Sequence, residues 1–305
     1  MKSKMLIIAN PAAGANRASK IIPLVEEILK KKGIDYVLEI TRYKGDEIGI
    51  AREGVKNGFN MIAALGGDGT VNQIVNGIMG SAGAVYKLPA LGIIPAGTGS
   101  DLVKTLNIPV KIEDAVDVLL NGKERLIDIG EIKGKAWRES RYFINISGIG
   151  IDAVTVKELE YAKTIFKGKL AYFYALFRAL KIYHGLQLKI KIKDVNVSVL
   201  AYLAAVANGR FFGGGFKITP DADIADGLFD ICIVEKVGII KTLLNLAKVI
   251  KGTHTKIIEV RMFRADKVII SSDCLMPVEI DGEVEKEDTE YYFKVNPKAL
   301  KVMIP

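Results

Sequence analysis

The chain has 305 residues, half of them apolar, and its 43 Lys and Arg outnumber its 35 Asp and Glu by eight. Two cysteines without CxxC spacing exclude a disulfide framework and fit a reducing cytoplasm, and no apolar run approaches the roughly 20 residues of a membrane-crossing helix. The basic balance favours an anionic partner, whether nucleotide, nucleic acid or acidic membrane surface, and is equally compatible with plain solubility. The first segment, "MKSKMLIIANP", carries too short an apolar run for a signal peptide. "KMLIIANP" reads as a buried parallel strand, and Ile21, Ile22, Val25, Ile28 and Leu29 then recur at helical spacing up to Gly33. "DYVLEIT" is a second strand, 46–57 a helix, "NMIAALG" a third strand, "TVNQIVNGIM" a helix and "ALGIIP" a fourth strand. Helices over 100–107 and 112–121 follow. This alternation predicts a parallel sheet with helices on both faces.

Near residue 125 the pattern changes. "ERLIDIGEI", "RYFINIS", "LQLKIKIKD", "VSVLAYLAAVA", "FDICIVE", "IIEVRMF", "KVIISS" and "MPVEIDG" are strand-like, with helical stretches only near 153–183 and 238–251. A β-rich sandwich or barrel-like second domain is the expectation. The boundaries predicted are an α/β domain over 1–125 and a β-rich domain over 126–296. With no long linker between them, the two domains are expected to face one another across a cleft.

Four strand ends carry Gly, Asn or Thr. They are "NPAAG" (Asn10, Pro11, Gly14), Thr41 in "TRYKGDE", "LGGDGTVNQ" (Gly66, Gly67, Asp68, Gly69, Thr70, Asn72) and "PAGTGS" (Gly97, Thr98). Ligands of open α/β sheets bind beyond such ends, where helix N-termini and successive backbone N–H groups favour phosphate and glycine admits close approach. A lone aspartate there repels phosphate unless it binds the accompanying Mg²⁺ or takes a proton from a nucleophile. Thr70 is placed to cap a helix beginning at Val71. Any one of these ends is compatible with ordinary turn chemistry. The chain lacks GxxxxGK[ST] and lacks the third glycine of GxGxxG, so neither a P-loop nor a Rossmann dinucleotide site is supported.

"NPAAG", "GGDGTVNQIVNGI" and "GIIPAGTGSDLVKTL" resemble the signature segments of the diacylglycerol kinase catalytic family, which includes bacterial lipid kinases and the sphingosine and ceramide kinases. The resemblance covers essentially the whole chain. It implies an ATP-binding α/β domain related to NAD kinase, a β-rich second domain, an interdomain active site, and a last strand near 297–305 that returns to the first domain. Carried over by position, Asn10, Pro11, Gly14, Thr41, Gly66, Gly67, Asp68, Gly69, Thr70, Asn72, Gly97 and Thr98 would line the nucleotide. Ser100 departs from the family, whose members commonly carry Asn there.

"ITPDADIADGLFDICIV" sets Asp223, Asp226 and the Leu228 carbonyl at i, i+3 and i+5, a spacing that can fold around a hard cation or make a simple acidic turn. The resemblance implies a structural Mg²⁺ there. In "MPVEIDGEVEKED" the resemblance implies a catalytic base, with Glu283 favoured and Asp281 as neighbour or substitute. "FKGKLAYFYALFRALKIYHG" is either a helix buried on most sides or a membrane-facing lipid entry, and "GRFFGGGFKITP" is a candidate border of the acceptor pocket. The predicted reaction is transfer of the γ-phosphate of ATP, with Mg²⁺, to a lipid hydroxyl, foremost diacylglycerol. Expected partners are ATP, a lipid alcohol and an anionic membrane surface touched peripherally from the cytoplasm. A second copy of the chain is a further candidate partner, and nucleic acid is not expected. The competing readings are an NAD-kinase-like enzyme, against which the missing TPTGSTAY-type segment counts, and a non-catalytic nucleotide- or lipid-binding regulator.

Overall fold

A computed structural model describes residues 4–81, 87–97 and 99–305. The chain divides into two compact units, Met1–Ile127 with Lys298–Pro305, and Asp128–Pro297.

Unit 1 contains strands β1 (Met5–Ala9), β2 (Tyr36–Ile40), β3 (Met61–Gly66) and β4 (Ala90–Pro95), all parallel in the order β2-β1-β3-β4. Five helices alternate with them: α1 (Ala13–Lys31), α2 (Asp46–Lys56), α3 (Asp68–Met79), α4 (Asp101–Thr105) and α5 (Ile112–Asn121). β1 is buried along its whole length because both faces are covered, which is why its sequence is an unbroken apolar run. Helices α1 and α5 share one core with Ile7, Ala63, Leu65 and Ile94. On the other face a β-carbon at Gly54 of α2 would fall 2.7 Å from Leu6 and 3.1 Å from Ile62. Glycine here lets α2 lie directly on the sheet. Val302, near the end of the chain, pairs in parallel with Leu91 of β4.

Unit 2 holds most of β5 (Lys123–Gly134), then β6 (Arg141–Phe143), β7 (Ile146–Gly150), helices α6 (Ile151–Ile165) and α7 (Lys169–Ile182), β8 (Leu186–Ile192), β9 (Val195–Ala207) and β10 (Phe229–Glu235). Helix α8 (Ile239–Lys251) and a short 3₁₀ turn (His254–Lys256) lead to β11 (Val260–Ala265), β12 (Lys267–Met276), β13 (Val278–Ile280), β14 (Glu283–Val284) and β15 (Asp288–Ile304), whose end lies in unit 1. β9 is the hub: its first half pairs with β8, and its second half with β7 and β10 on opposite edges. One face of these strands closes on a core containing Phe143, Phe229, Ile231, Tyr291 and Phe293. The other face of β9 and β10 is covered by helices, with Ala179, Leu180, Tyr202, Ala205 and Cys232 in the layer between.

Three local expectations change. Helix α3 begins at Asp68, not Val71, so Thr70 lies inside its first turn and does not cap it. The single helix expected over 153–183 is two, broken where Gly168 takes φ +58. Residues 288–297, not read as strand, form the first part of β15.

Candidate functional site

The loops that leave β1, β3 and β4 meet backbone to backbone. Asn10 closes β1 through its N–H to Leu65 O (3.0 Å), while its Oδ1 accepts the Ala12 N–H (3.1 Å) and its Nδ2 donates to Glu47 Oε1 (3.0 Å). Past Pro11, Gly14, Ala15 and Asn16 take φ of +63, +55 and +66 in succession before the regular part of α1. Such a run is costly for non-glycine residues. Gly14 has no substitute, since a β-carbon there would stand 2.1 Å from Ala96 O. Gly97 is pressed in the same way, its β-carbon position 2.6 Å from the Gly67 Cα. The two contacts bring the loops after β1 and β3 onto the loop after β4 and leave no room for a side chain between them.

Asp68 ties this layer together. Its Oδ2 accepts the Asp101 N–H (3.2 Å) and its Oδ1 the Leu102 N–H (3.4 Å), which makes it the cap of α4. Asp101 is buried and paired to Lys104 Nζ (2.8 Å), which also donates to Gly99 O (2.9 Å). Gly66 ends β3, with the Thr70 hydroxyl in its side-chain space, 2.4 Å from a β-carbon there. Thr70 and Asn72 are buried, and Asn72 accepts from Asn76 Nδ2 (3.1 Å). Thr41 follows β2, its N–H on Ala9 O (2.9 Å). Gly69 sits in the first turn of α3, and Thr98 lies outside the described residues. Glu47, which no sequence motif marks, is buried beside Asn10, its Oε2 without a hydrogen-bond partner among the described residues. An acidic residue early in a helix carries no signal beyond ordinary dipole complementarity.

In unit 2, Asp281 (φ +48) and Gly282 (φ +86) form the two-residue loop between β13 and β14, with positive φ at both positions as a type I′ hairpin requires. The Asp281 carboxylate accepts three backbone N–H groups, from Ile144 (2.9 Å), Asn145 (3.0 Å) and Ile146 (2.8 Å). Those bonds make it an anchor for the loop. Glu283, half-buried, opens β14 opposite Ile280.

Beneath this hairpin lies a pair of carboxyl groups that no sequence motif joins. Glu279 is the cross-strand partner of Gly148, and its Oε2 accepts the Gly282 N–H (2.6 Å). Asp152, the second residue of α6, accepts the Ala153 N–H (2.8 Å) and pushes its other oxygen over Gly148. Both are buried. Burial pushes the Asp152 carboxyl up to about 7 and, together with the charge of Asp152, raises Glu279 well above the usual carboxylate range. Two buried carboxyls in contact retain a proton between them.

The loop expected to hold a metal is closed by its own backbone and by Arg264. Asp223 accepts the Ala225 N–H (3.1 Å), Asp226 Oδ1 accepts the Leu228 N–H (3.0 Å), and Asp226 Oδ2 is ion-paired with Arg264. Asp128, fully buried, fastens the same loop through Gly227 N–H (2.6 Å). The oxygen donors suit Mg²⁺ or Ca²⁺, and Asp226 divides its two oxygens between the Leu228 N–H and Arg264.

Two family models match the chain: the diacylglycerol kinase catalytic domain over residues 4–132, and the YegS C-terminal NAD kinase beta sandwich-like domain over 145–304. A diacylglycerol kinase of Staphylococcus saprophyticus subsp. saprophyticus is 31% identical over 286 residues, covering 93% of this chain and 90% of that protein. The diacylglycerol kinase of Bacillus subtilis is 30% identical over 281 residues, covering 91% and 88%. A crystal structure from Bacillus anthracis str. Sterne, described as that of a candidate diacylglycerol kinase, superposes with a TM-score of 0.81 at 24% identity, covering 100% of this chain and 96% of that one. These agreements extend along both units, and the chain belongs to the diacylglycerol kinase family, lipid kinases that use ATP as phosphate donor and an alcohol group as acceptor.

Proposed function

We propose that the protein transfers the γ-phosphate of ATP to the hydroxyl of a membrane lipid alcohol, with diacylglycerol as acceptor and phosphatidic acid as product. The observation that carries this reading is the contact of the strand-end loops, Gly14 on Ala96 and Gly97 on Gly67, which supports a phosphate cradle of main-chain N–H groups. Residues 1–125 with the return strand near 297–305 are the donor domain in this reading, and 126–296 the acceptor domain.

The acceptor oxygen attacks the γ-phosphorus, the bond to the ADP oxygen breaks, and the hydroxyl proton passes to a carboxylate. Glu283 is assigned that proton. Asp281 is set aside as base because its oxygens are engaged by three amides. Asn10, Pro11, Gly14, Thr41, Gly67, Gly69 and Gly97 are assigned to the nucleotide, chiefly through the main chain. Mg²⁺, when bound with ATP, supplies positive charge to the phosphate oxygens, and Asp68 is the residue assigned to hold it.

Label from γ-labelled ATP should enter one lipid alcohol of a panel presented in mixed micelles with Mg²⁺, alongside NAD and a no-acceptor control. Label in NAD alone, or in nothing while ATP binds, would overturn the assignment.

A further inference from the structure

Helix α8, "IIKTLLNLAKVIK", is attached to unit 2 by one side only, and none of its residues is buried. Its half-buried side carries Thr242, Asn245, Leu246 and Val249, with Val249 O accepting the Lys217 N–H (3.2 Å). The opposite side is apolar and open: Ile240 is 77% and Leu244 73% exposed, with Ile239, Leu243 and Ile250 beside them. At 3.6 residues per turn these five side chains sweep an arc of about 140°. A soluble surface would place polar residues there.

Charge says what the arc faces. The helix has no acidic residue; at 3.6 residues per turn Lys241 and Lys248 fall along one flank of the apolar arc and Lys251, in the last turn, within its edge. Lys241 is ion-paired to Glu259, and Lys236 and Lys256 stand just before and after the helix. Two copies of such a face related by a two-fold axis would bring like charges together. An anionic lipid surface offers the complement to both halves, acyl chains for the Ile and Leu stripe and phosphates for the lysines.

A second helix on the same sheet face has the same character. Helix α7 packs inward through Ala179 and Leu180 onto the cluster that Val249 also joins. Its outer side exposes Leu170, Phe173 and Phe177, with Lys181 Nζ 4.5 Å from the Phe177 ring centre.

We propose that α8 is an in-plane membrane anchor that docks this unit on a bilayer containing anionic lipid. It rests on the lipid-kinase reading only for its biological purpose.

The test compares the full chain with Ile240→Glu/Leu244→Glu in flotation with vesicles of phosphatidylcholine alone and of phosphatidylcholine mixed equally with phosphatidylglycerol. Wild type should float with the mixed vesicles, less so in high salt, and the variant should lose at least about tenfold in partition with an unchanged melting curve. Undiminished flotation of the variant would overturn the proposal. So would a change from dimer to monomer on substitution with vesicle binding intact, which would make the stripe an interface between copies. Transfer to a water-soluble short-chain diacylglycerol keeps the two readings apart. Transfer retained by the variant in solution but lost on vesicles supports the anchor. Wild type that floats yet phosphorylates no lipid leaves the anchor standing and removes the kinase assignment.

Discussion

A β-carbon on Gly148 would fall 1.3 Å from the Asp152 Oδ2 oxygen. The carboxyl of Asp152 therefore fills the side-chain space of Gly148, and Gly148 faces Glu279 across the β7–β13 ladder. Cross-strand partners project to the same face, so the missing side chain of Gly148 is what lets the two carboxyl groups meet beneath the Asp281–Gly282 turn.

Gly148→Ala should therefore destabilise the protein by about 1–3 kcal/mol, the usual cost of overpacking a closed site. Denaturant unfolding measures it. The double variant Gly148→Ala/Asp152→Ala should recover part of that loss, because the clash is with Asp152 itself; strictly additive effects would contradict this packing.

The same pair makes stability depend on pH. Both carboxyls have folded values above their unfolded ones, so the native state binds more protons than the unfolded state above about pH 4. Their contribution is complete below the unfolded values and is lost as pH rises through about 7, the value reached by Asp152. The charges acting on the pair are mutual, with Asp281 adding to Glu279 and the Tyr183 phenol, itself raised by burial and by Asp152, facing Asp152. The ion pairs on the elements around it, Lys157–Glu287 and Arg141–Glu285, are at least partly exposed. Glu279→Gln keeps an acceptor for Gly282 and gives Asp152 a permanent donor. The stability of this variant relative to wild type should grow between pH 5 and 8 by up to about 1.4 kcal/mol per pH unit for each proton involved. Taking the difference cancels groups such as His254, whose burial lowers its pKa and whose contribution runs the other way, lost as pH falls. A difference that does not change with pH would exclude proton sharing.

Such a pair is invisible in the sequence, where Asp152 and Glu279 are single carboxylates in unrelated segments joined only by strand pairing. The sheet of unit 1 was legible because β1, β3 and β4 are covered on both faces and read as apolar runs. The glycines of the strand-end loops were legible because close backbone approach selects glycine. The first part of β15 had a usable signal, Tyr291, Phe293 and Val295 alternating inward, but Asn296-Pro297-Lys298 reads as a breaker. Lys298 does take φ +49, and the strand continues past it. Periodicity over 153–183 could not show the break, because the positive φ at Gly168 interrupts helices of similar composition.

The hairpin gives the two acidic residues of the DGE turn different tasks. Asp281→Asn should lower stability by about 1–3 kcal/mol, as one of its oxygens becomes an NH₂ facing amide donors, and should affect turnover mainly through folding. Glu283→Gln should leave the melting temperature nearly unchanged and lower kcat about 100-fold or more. The reverse pattern, with Asp281 controlling kcat in folded protein, would exchange the two assignments.

Ser100 departs from the asparagine common in the family, and it sits at φ +52, ψ +43 with no side-chain bond capping α4. Asparagine tolerates this left-handed region better than serine. Ser100→Asn should raise stability by up to about 1 kcal/mol at unchanged activity, and Ser100→Val should lower it by at least about 1 kcal/mol. Equal stability of the three proteins in urea would show that this strain is not borne by residue 100.

Asp68 combines two roles that one substitution can separate. Its carboxylate caps α4 through the N–H groups of Asp101 and Leu102, and a cap of this kind is worth about 1 kcal/mol. Asp68→Asn keeps an oxygen able to accept one of those bonds and removes the charge. If the residue only held the loop, the variant would lose about 1 kcal/mol of stability, and its turnover would be near normal at temperatures where it is folded. If its charge serves the nucleotide's Mg²⁺, kcat should fall at least about 100-fold in fully folded protein, and the Mg²⁺ concentration needed for half-maximal rate should rise. Titrating Mg²⁺ at saturating ATP, with folding checked by circular dichroism in the same buffer, reads both quantities. An unchanged Mg²⁺ requirement with full turnover would reduce Asp68 to a helix cap.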